Sequence, residues 1–171
     1  MKKLLTLFMV MAFAATSFGA MLGQGTQELF LGGSLDSETP VGTDWFVTVG
    51  YGYYIMDYVE VGGIVSVSDN DVNTTYDLAV FGEYVFETET QWIPYAGASF
   101  GWGGTDPEVG EKSDAGVLTP YAGVKYYIAE NVAPFVQFQY QLATDDLYPN
   151  DEGELKSTNY GFTLGIRVAF E

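Results

Sequence analysis

Apolar and polar side chains alternate along much of this chain, and the alternation is clearest towards the C-terminus. In residues 158–170, large apolar side chains take every second position from Tyr160 to Phe170. The intervening positions, among them Thr163 and Arg167, are small or polar. Because successive side chains of a strand point to opposite faces, this pattern predicts a β-strand with one apolar and one polar face.

Similar runs of about ten residues precede this one. From Trp45 to Ile55, apolar side chains alternate with Thr48 and two glycines, and from Val136 to Leu142 they alternate with three glutamines. A row of glutamines is costly in a dry core unless each is hydrogen-bonded, whereas it suits a polar lumen. Helical periodicity is absent after residue 20. The pattern predicts eight strands, at 27–35, 45–55, 58–67, 75–86, 92–103, 117–128, 132–142 and 158–170.

The links between these runs alternate in length, which indicates how the strands are arranged in a membrane. Short periplasmic turns and longer extracellular loops are typical of outer-membrane barrels. An even number of strands then brings both ends of the barrel to the short-turn rim. The predicted fold class is all-β: an eight-stranded antiparallel up-and-down transmembrane β-barrel with short periplasmic turns and longer extracellular loops. The short links are 56–57, 87–91 and 129–131, and the longer ones are 36–44, 68–74, 104–116 and 143–157.

The position of the charges favours lipid over water as the environment outside the barrel. A soluble eight-stranded barrel is the alternative, but it needs charged residues on its wet outer face. Of the 23 acidic residues, 14 lie in the four longer links and only four lie on predicted strands. The outward faces carry no charge, and each outward Arg or Lys near the bilayer midplane would cost roughly 2–4 kcal/mol.

Aromatic residues concentrate at the predicted strand ends, as in the two interfacial girdles of a membrane barrel. Ordinary core aromatics are the alternative reading, although a core does not require clustering at strand ends. The short-turn group is Tyr53, Tyr54, Tyr58, Tyr84, Phe86, Trp92, Tyr126 and Phe170, and the loop-end group is Trp45, Tyr76, Trp102 and Tyr160.

Residues 1–20 match a secretory signal peptide, with Lys2 and Lys3 before an apolar run that is too short to span a membrane. Cleavage after Gly19 or after Ala20 is expected. The remaining residues, 21–171, then form a single β-barrel domain that is exported to the outer membrane. Loss of the two lysines changes the formal net charge from −17 to −19.

The composition excludes several classes of function. A strongly acidic chain lacks the basic face that binds nucleic acid. The chain has no Cys and no His, so it lacks thiolate chemistry and the commonest general base and metal ligand. We therefore expect no catalytic site, no cofactor and no metal site. Asp69 to Asn73 begins like a calcium-binding loop, but Thr74 and Val80 replace the required Gly and Glu, which favours a solvated hairpin tip.

The acidic links suggest one further expectation, that they collect divalent cations. Asp145-Asp146 and the acidic run 151–154 could join the cation network that bridges lipopolysaccharide. The simpler alternative is that these loops are solvated and that their charge keeps them soluble.

Six charged side chains are predicted to face the lumen. Closure of the barrel should bring Arg167 next to Glu28, and Lys125 should reach Glu83 or Glu60 across the narrow interior. The hypothesis is a buried ion network that plugs the lumen, because opposite partners offset the cost of burial. Charges that simply face lumen water are the alternative. The network comprises Glu28, Glu60, Glu83, Lys125 and Arg167, and the sixth inward charge, Asp77, lies nearer the loops.

Two short sequences that each occur twice in the chain carry a resemblance to a known group of proteins. Pro-Tyr-Ala-Gly occurs at 94–97 and 120–123, and Tyr-Tyr-Ile followed by an acidic turn occurs at 53–59 and 126–132. With the alternating last strand, these features resemble the OmpA/OmpX-type small outer-membrane β-barrels. Glu171 departs from the pattern, because that group ends on the aromatic residue that barrel-assembly machinery reads.

The resemblance implies a monomeric structural or surface-interaction protein that acts through its acidic extracellular loops. Its partners would be outer-membrane lipids, lipopolysaccharide and, during biogenesis, the assembly machinery, with an unidentified extracellular partner. A narrow porin-like channel for ions or small molecules is the alternative.

Overall fold

The computed structural model describes residues 22–39, 42–69, 73–107, 113–149 and 155–171. The expected signal peptide therefore lies outside the described residues. The strands found in the described parts are β1 (Gln27–Thr39), β2 (Gly42–Met56), β3 (Val59–Asp69), β4 (Asn73–Val85), β5 (Trp92–Pro107), β6 (Ser113–Tyr126), β7 (Val132–Ala143), β8 (Tyr148–Pro149), β9 (Leu155–Lys156) and β10 (Thr158–Phe170).

Eight of these strands form a closed antiparallel barrel in the order β1-β10-β7-β6-β5-β4-β3-β2. Closure depends on β1, which pairs with β2 on one side and with β10 on the other. Phe30, for example, lies opposite Gly50 of β2 and opposite Arg167 of β10. The predicted all-β, eight-stranded, up-and-down barrel is confirmed. No helix long and apolar enough to cross a membrane occurs in the described ranges.

The strands are longer at the loop end than the alternation predicted. Predicted strand 27–35 continues to Thr39, and predicted strand 92–103 continues to Pro107. The prediction ended these strands where acidic residues begin, because it equated charge with a loop. A strand that continues past the apolar band into water can carry charges and keep its backbone hydrogen bonds. The two-residue strands β8 and β9 also lie within 143–157, which was predicted to be a loop.

The outward faces are apolar, as the alternation predicted. On β4, Leu78 and Val80 are 64% and 66% exposed. Ala79, which lies between them, and Phe81, which follows Val80, are buried. On β10, Tyr160 and Phe162 are exposed and Thr163 is buried. The outside of this barrel is therefore a continuous apolar surface, of the kind that monomeric soluble proteins rarely present to water.

The predicted girdles need one correction, at Tyr54. Tyr53 and Trp92 face outward, and Trp92 packs against Tyr126 with 4.6 Å between ring centroids. Tyr54, however, is fully buried and faces the lumen. The prediction grouped aromatics by their distance from the strand end and ignored the alternation, which turns Tyr54 inward between Tyr53 and Ile55.

The core of the molecule is the lumen itself, towards the short-turn end, and glycines make room for it. Five inward rings each lie directly opposite a glycine of the neighbouring strand, where a Cβ would collide with the ring or the backbone. Small residues opposite large ones allow the interior of an eight-stranded barrel to be filled. The pairs are Phe30 with Gly50, Phe81 with Gly62, Tyr95 with Gly123, Tyr121 with Gly97 and Phe135 with Gly165.

This arrangement explains the repeated Pro-Tyr-Ala-Gly sequence. The two copies lie on β5 and β6 and pair in antiparallel register, so the tyrosine of each copy lies opposite the glycine of the other. The two rings meet edge to face, with centroids 6.3 Å apart. The repeat is therefore a packing unit of the barrel interior.

We predict that Gly50→Ala lowers the free energy of unfolding by about 1–3 kcal/mol, because the added methyl group overlaps the Phe30 ring. The measurement is a urea titration of refolded barrel in lipid vesicles, followed by heat-modifiable gel migration. The matched control is Gly161→Ala on the same inward face, where a Cβ meets nothing within 4 Å. Equal losses in the two variants would contradict this account.

Candidate functional site in the barrel lumen

The structure brings all five charges of the predicted network into one buried cluster near the short-turn end. Each comes from a different strand: Glu28 from β1, Glu60 from β3, Glu83 from β4, Lys125 from β6 and Arg167 from β10. Their side chains are at most 2% exposed. The cluster therefore ties five of the eight barrel strands together across the lumen.

Arg167 makes the most directed contacts of the cluster. Its Nη1 donates to Glu28 at 2.7 Å, and its two terminal nitrogens donate to the two Glu83 oxygens at 3.1 Å each. A bidentate guanidinium–carboxylate pair is among the stronger hydrogen-bonded arrangements in proteins. Its Cζ also lies 4.5–5.0 Å from the ring centroids of Phe30, Tyr95 and Phe135. The cation lies over each of these rings, and cation–π attraction adds to its stabilisation.

Lys125 completes the cluster from β6, which is separated from β10 by β7 alone. Its Nζ donates to both Glu28 oxygens, at 3.0 and 3.3 Å, and to the Tyr54 hydroxyl at 3.3 Å. It also lies 3.0 Å from Glu83. The hydroxyl of Tyr54 therefore belongs to the cluster, which is why this tyrosine faces inward.

Glu60 is held differently from the other two acids. It lies directly across the β3–β4 pair from Glu83, so two like charges oppose each other. Lys125 and Arg167 approach it only to 3.6 Å, and neither Glu60 oxygen accepts a hydrogen bond from a described residue. Three carboxylates thus face two cations. Glu60 is the member whose charge is least compensated.

The short-turn end of the lumen is closed below this cluster by the segment before β1. Leu22 is buried among Tyr54, Tyr127 and Val85. Its carbonyl accepts a hydrogen bond from the Tyr58 amide at 2.9 Å. The hydrogen bonds from Gly25 to Tyr54 and from Tyr54 to Thr26 hold the rest of the segment.

Tyr58 adopts an unusual backbone conformation to make this contact. Its φ of 65° is in the left-handed region, which disfavours residues with a Cβ. Its carbonyl accepts a hydrogen bond from Val85, so both of its backbone groups tie the turn to neighbouring segments. A hydrogen bond to the Glu87 carboxylate raises the pKa of its phenol. These contacts offset the backbone cost.

The loop end of the lumen is covered by an arm that consists of residues 144–149 with 155–157. Leu147 and Tyr148 are buried against Ala115 and Val117 of β6. The Leu147 carbonyl accepts a hydrogen bond from Thr105 at 3.0 Å, and the Thr144 amide donates to Gly116 at 2.9 Å. Sequence analysis missed this arm, although Leu147 and Tyr148 are adjacent apolar residues within an otherwise acidic link.

The remaining sequence-predicted charges lie away from the cluster. Asp77 is half-buried and points inward on β4, opposite Ser66 and Gly103 in the outer half of the barrel. Asp145 and Asp146 are exposed on the arm. Part of the Asp69–Asn73 segment and the acidic run 151–154 lie outside the described residues. Across the described ranges, no group of three or more acidic side chains is placed to hold a metal ion.

A comparison of the three cluster glutamates tests this charge distribution. We predict that Glu28→Gln and Glu83→Gln each lower the free energy of unfolding by about 3 kcal/mol, because each removes a negative charge that lies within 3.1 Å of both cations. Glu60→Gln should be neutral or stabilising, because it removes the excess negative charge and breaks no hydrogen bond. Urea titration of the three refolded variants beside wild type gives the order. A Glu60→Gln loss as large as the other two would refute it.

Comparison with known proteins identifies the fold of this chain. It shows no relationship closer than that shared fold. No protein-family model matches the chain, and no curated protein matches it. The solved structure of Neisserial surface protein A matches with a TM-score of 0.66 at 18% identity, over 86% of this chain and 98% of that one. The N-terminal barrel of Pseudomonas aeruginosa OprF matches with a TM-score of 0.63 at 18% identity, over 86% and 99%. OprG of the same organism matches with a TM-score of 0.60 at 13% identity, over 90% and 98%. The chain therefore has the fold of the small outer-membrane β-barrels, as its sequence resemblance predicted.

Proposed function

We propose that this protein is an outer-membrane barrel with a side-chain-filled lumen, and that it acts as a structural and surface-interaction protein. The apolar exterior supports the membrane assignment. Interaction with lipopolysaccharide, or with an extracellular partner, would occur through the acidic loops at the outer rim. The assembly machinery would act during biogenesis, and the leader at 1–20 would direct export.

The ion cluster is the observation that carries the closed-lumen proposal. Its five side chains come from around the barrel wall and meet in the middle with almost no exposed surface. Below it, Leu22 fills the periplasmic end, and above it, Leu147 and Tyr148 cover the outer end. These three successive closures support the proposal that a solute finds no continuous path through the lumen.

The same contacts support a role without catalysis. Glu28 and Glu83 are held by both cations, so they are not available as a general acid or base. The chain also has no His or Cys to act as a nucleophile or its activating base.

The narrow-channel alternative has one observation in its favour. Inward polar side chains in the outer half, such as Ser66 and Gln139, are half-buried, so this part of the lumen is accessible to solvent. Conduction would require the inner half to open as well. The buried charges there would then need to separate, at a cost of several kcal/mol for each ion left unpaired.

We predict that refolded wild-type protein is silent in planar-bilayer recordings. Arg167→Ala and Lys125→Ala should also be silent, because the segments at both ends still close the lumen. Arg167→Ala combined with Leu22→Gly, Leu147→Gly and Tyr148→Gly weakens all three closures and should admit small ions. Heat-modifiable migration verifies that each variant is folded. Reproducible current steps from wild type would overturn the closed-lumen proposal in favour of the channel.

A separate prediction tests the membrane assignment. Val80→Lys should lower barrel stability in lipid vesicles by roughly 2–4 kcal/mol, because it places a charge on a well-exposed part of the apolar face. Val80→Ile is the matched control and should have little effect. If the lysine variant were as stable as the isoleucine variant in bilayers, this face would not contact hydrocarbon.

A further inference from the structure

The charges of the buried ion cluster do not balance when all its members are ionised. Glu28, Glu60 and Glu83 share Lys125 and Arg167, which leaves one negative charge in excess. The five side chains are at most 2% exposed, so bulk water has little access to that charge. An uncompensated ion in such a place costs far more than a neutral polar group, and a carboxylate avoids this cost by taking up a proton.

The contacts identify Glu60 as the acid that is held least firmly in its ionised form. Glu28 accepts hydrogen bonds from Lys125 and Arg167, and Glu83 accepts two from Arg167 and lies 3.0 Å from Lys125 Nζ. Such charge-assisted hydrogen bonds stabilise a carboxylate. Glu60 has none from a described residue, and its Oε2 lies 3.6 Å from a nitrogen of each cation.

The neighbouring strands also disfavour a negative charge on Glu60. Glu83 is directly opposite it on β4, and Tyr54, whose hydroxyl accepts a hydrogen bond from Lys125, is directly opposite it on β2. The Oε1 atom of Glu60 occupies the space that a side chain at Gly52 would take. The titratable and charged groups around Glu60 are Glu28 of β1, Tyr54 of β2, Glu83 of β4, Tyr95 of β5, Tyr121 and Lys125 of β6, Tyr127 after β6 and Arg167 of β10.

A proton is the cation that suits this position. A metal ion needs several oxygen ligands and room for itself. The described residues hold no group of three or more acidic side chains placed to bind a metal ion, and the inward rings fill the lumen around the cluster. A proton needs one oxygen atom and no cavity.

We propose that the ion cluster is a buried proton-binding site and that Glu60 carries the proton at neutral pH. Two carboxylates then share two cations, and the charges inside the barrel balance. Loss of the proton at alkaline pH would leave two like charges directly opposite each other on β3 and β4, which destabilises that strand pair and with it the inner closure. This inference goes beyond the structural role proposed above and is independent of what the loops bind.

The first test is infrared spectroscopy of the refolded barrel in lipid vesicles, since a neutral carboxylic acid and a carboxylate absorb at different frequencies. Wild type at neutral pH should show a carboxylic-acid band that is lost in Glu60→Gln. The matched control is Glu130→Gln, which changes an exposed glutamate in the turn between β6 and β7 and should keep the band. Any contribution from Asp77, the other inward acid, is the same in all three proteins.

The second test is urea titration of the same three proteins across a range of pH. A glutamate in the unfolded chain releases its proton near about pH 4.3. Above that pH the folded barrel holds one proton more than the unfolded chain, so stability should fall as the pH rises. This proton increases the unfolding equilibrium constant by up to about tenfold per pH unit, until the folded barrel releases it. Glu60→Gln should lose this part of the pH dependence, and Glu130→Gln should keep it.

The proposal is overturned if Glu60→Gln keeps the whole carboxylic-acid band of wild type, or if the three proteins have the same pH dependence of stability. If Glu60→Gln does not refold, Asp77→Asn replaces it, and absence of the band from that variant at neutral pH overturns the proposal. Conductance distinguishes this proposal from the closed lumen. A silent barrel without the band disproves the proton site only, whereas current steps from a barrel with the band disprove the closed lumen only.

Discussion

The structure depends on one constraint: a barrel whose outside is apolar must place its polar and charged side chains in a lumen with little room. Eight strands enclose a space that is just filled by side chains. Charges placed there must find partners within the lumen, because the wall offers them only backbone groups that are already paired. The ion cluster satisfies this requirement by bringing two cations among three carboxylates from five strands.

The rings and glycines serve the same constraint. Arg167 can be buried because Phe30, Tyr95 and Phe135 surround its flat group, and each of these rings has space because the opposite residue is glycine. Glycine in a strand is usually unfavourable. Here its cost is offset by the contacts that the rings make. The charged side chains, the aromatic rings and the glycines therefore pack together as one unit.

Much of this could be predicted from the sequence, because alternation determines which face each residue occupies. The inward assignment of Glu28, Lys125 and Arg167 needed only the period of two and the sequence order of the strands. The strand ends at the outer rim were harder, since an acidic residue such as Asp106 fits a loop and a water-exposed strand equally well. The same alternation turns Tyr54 inward, but the prediction placed it in the outer girdle because it grouped aromatic residues by their distance from the strand end.

Two features of the structure are not marked by any periodic pattern in the sequence. Leu22 and the arm that carries Leu147 lie outside the regular strands, and their positions depend on where the chain turns back over the barrel ends. A short apolar segment in a link can pack inward or remain on the surface, and no pattern in its sequence distinguishes the two arrangements. Only the three-dimensional path of the chain distinguishes these outcomes.

The pairing of Glu28 with Arg167 has a consequence for the way in which the protein acquires its structure. These residues are 139 positions apart, and they meet only when β10 closes against β1. Contacts between distant parts of a chain slow folding, because the intervening segment must be ordered first. Until the last strand arrives, the glutamates gathered on the first four strands lack their guanidinium. A chain truncated before residue 158 would therefore hold an incomplete set of charges and should be more readily proteolysed than the complete barrel.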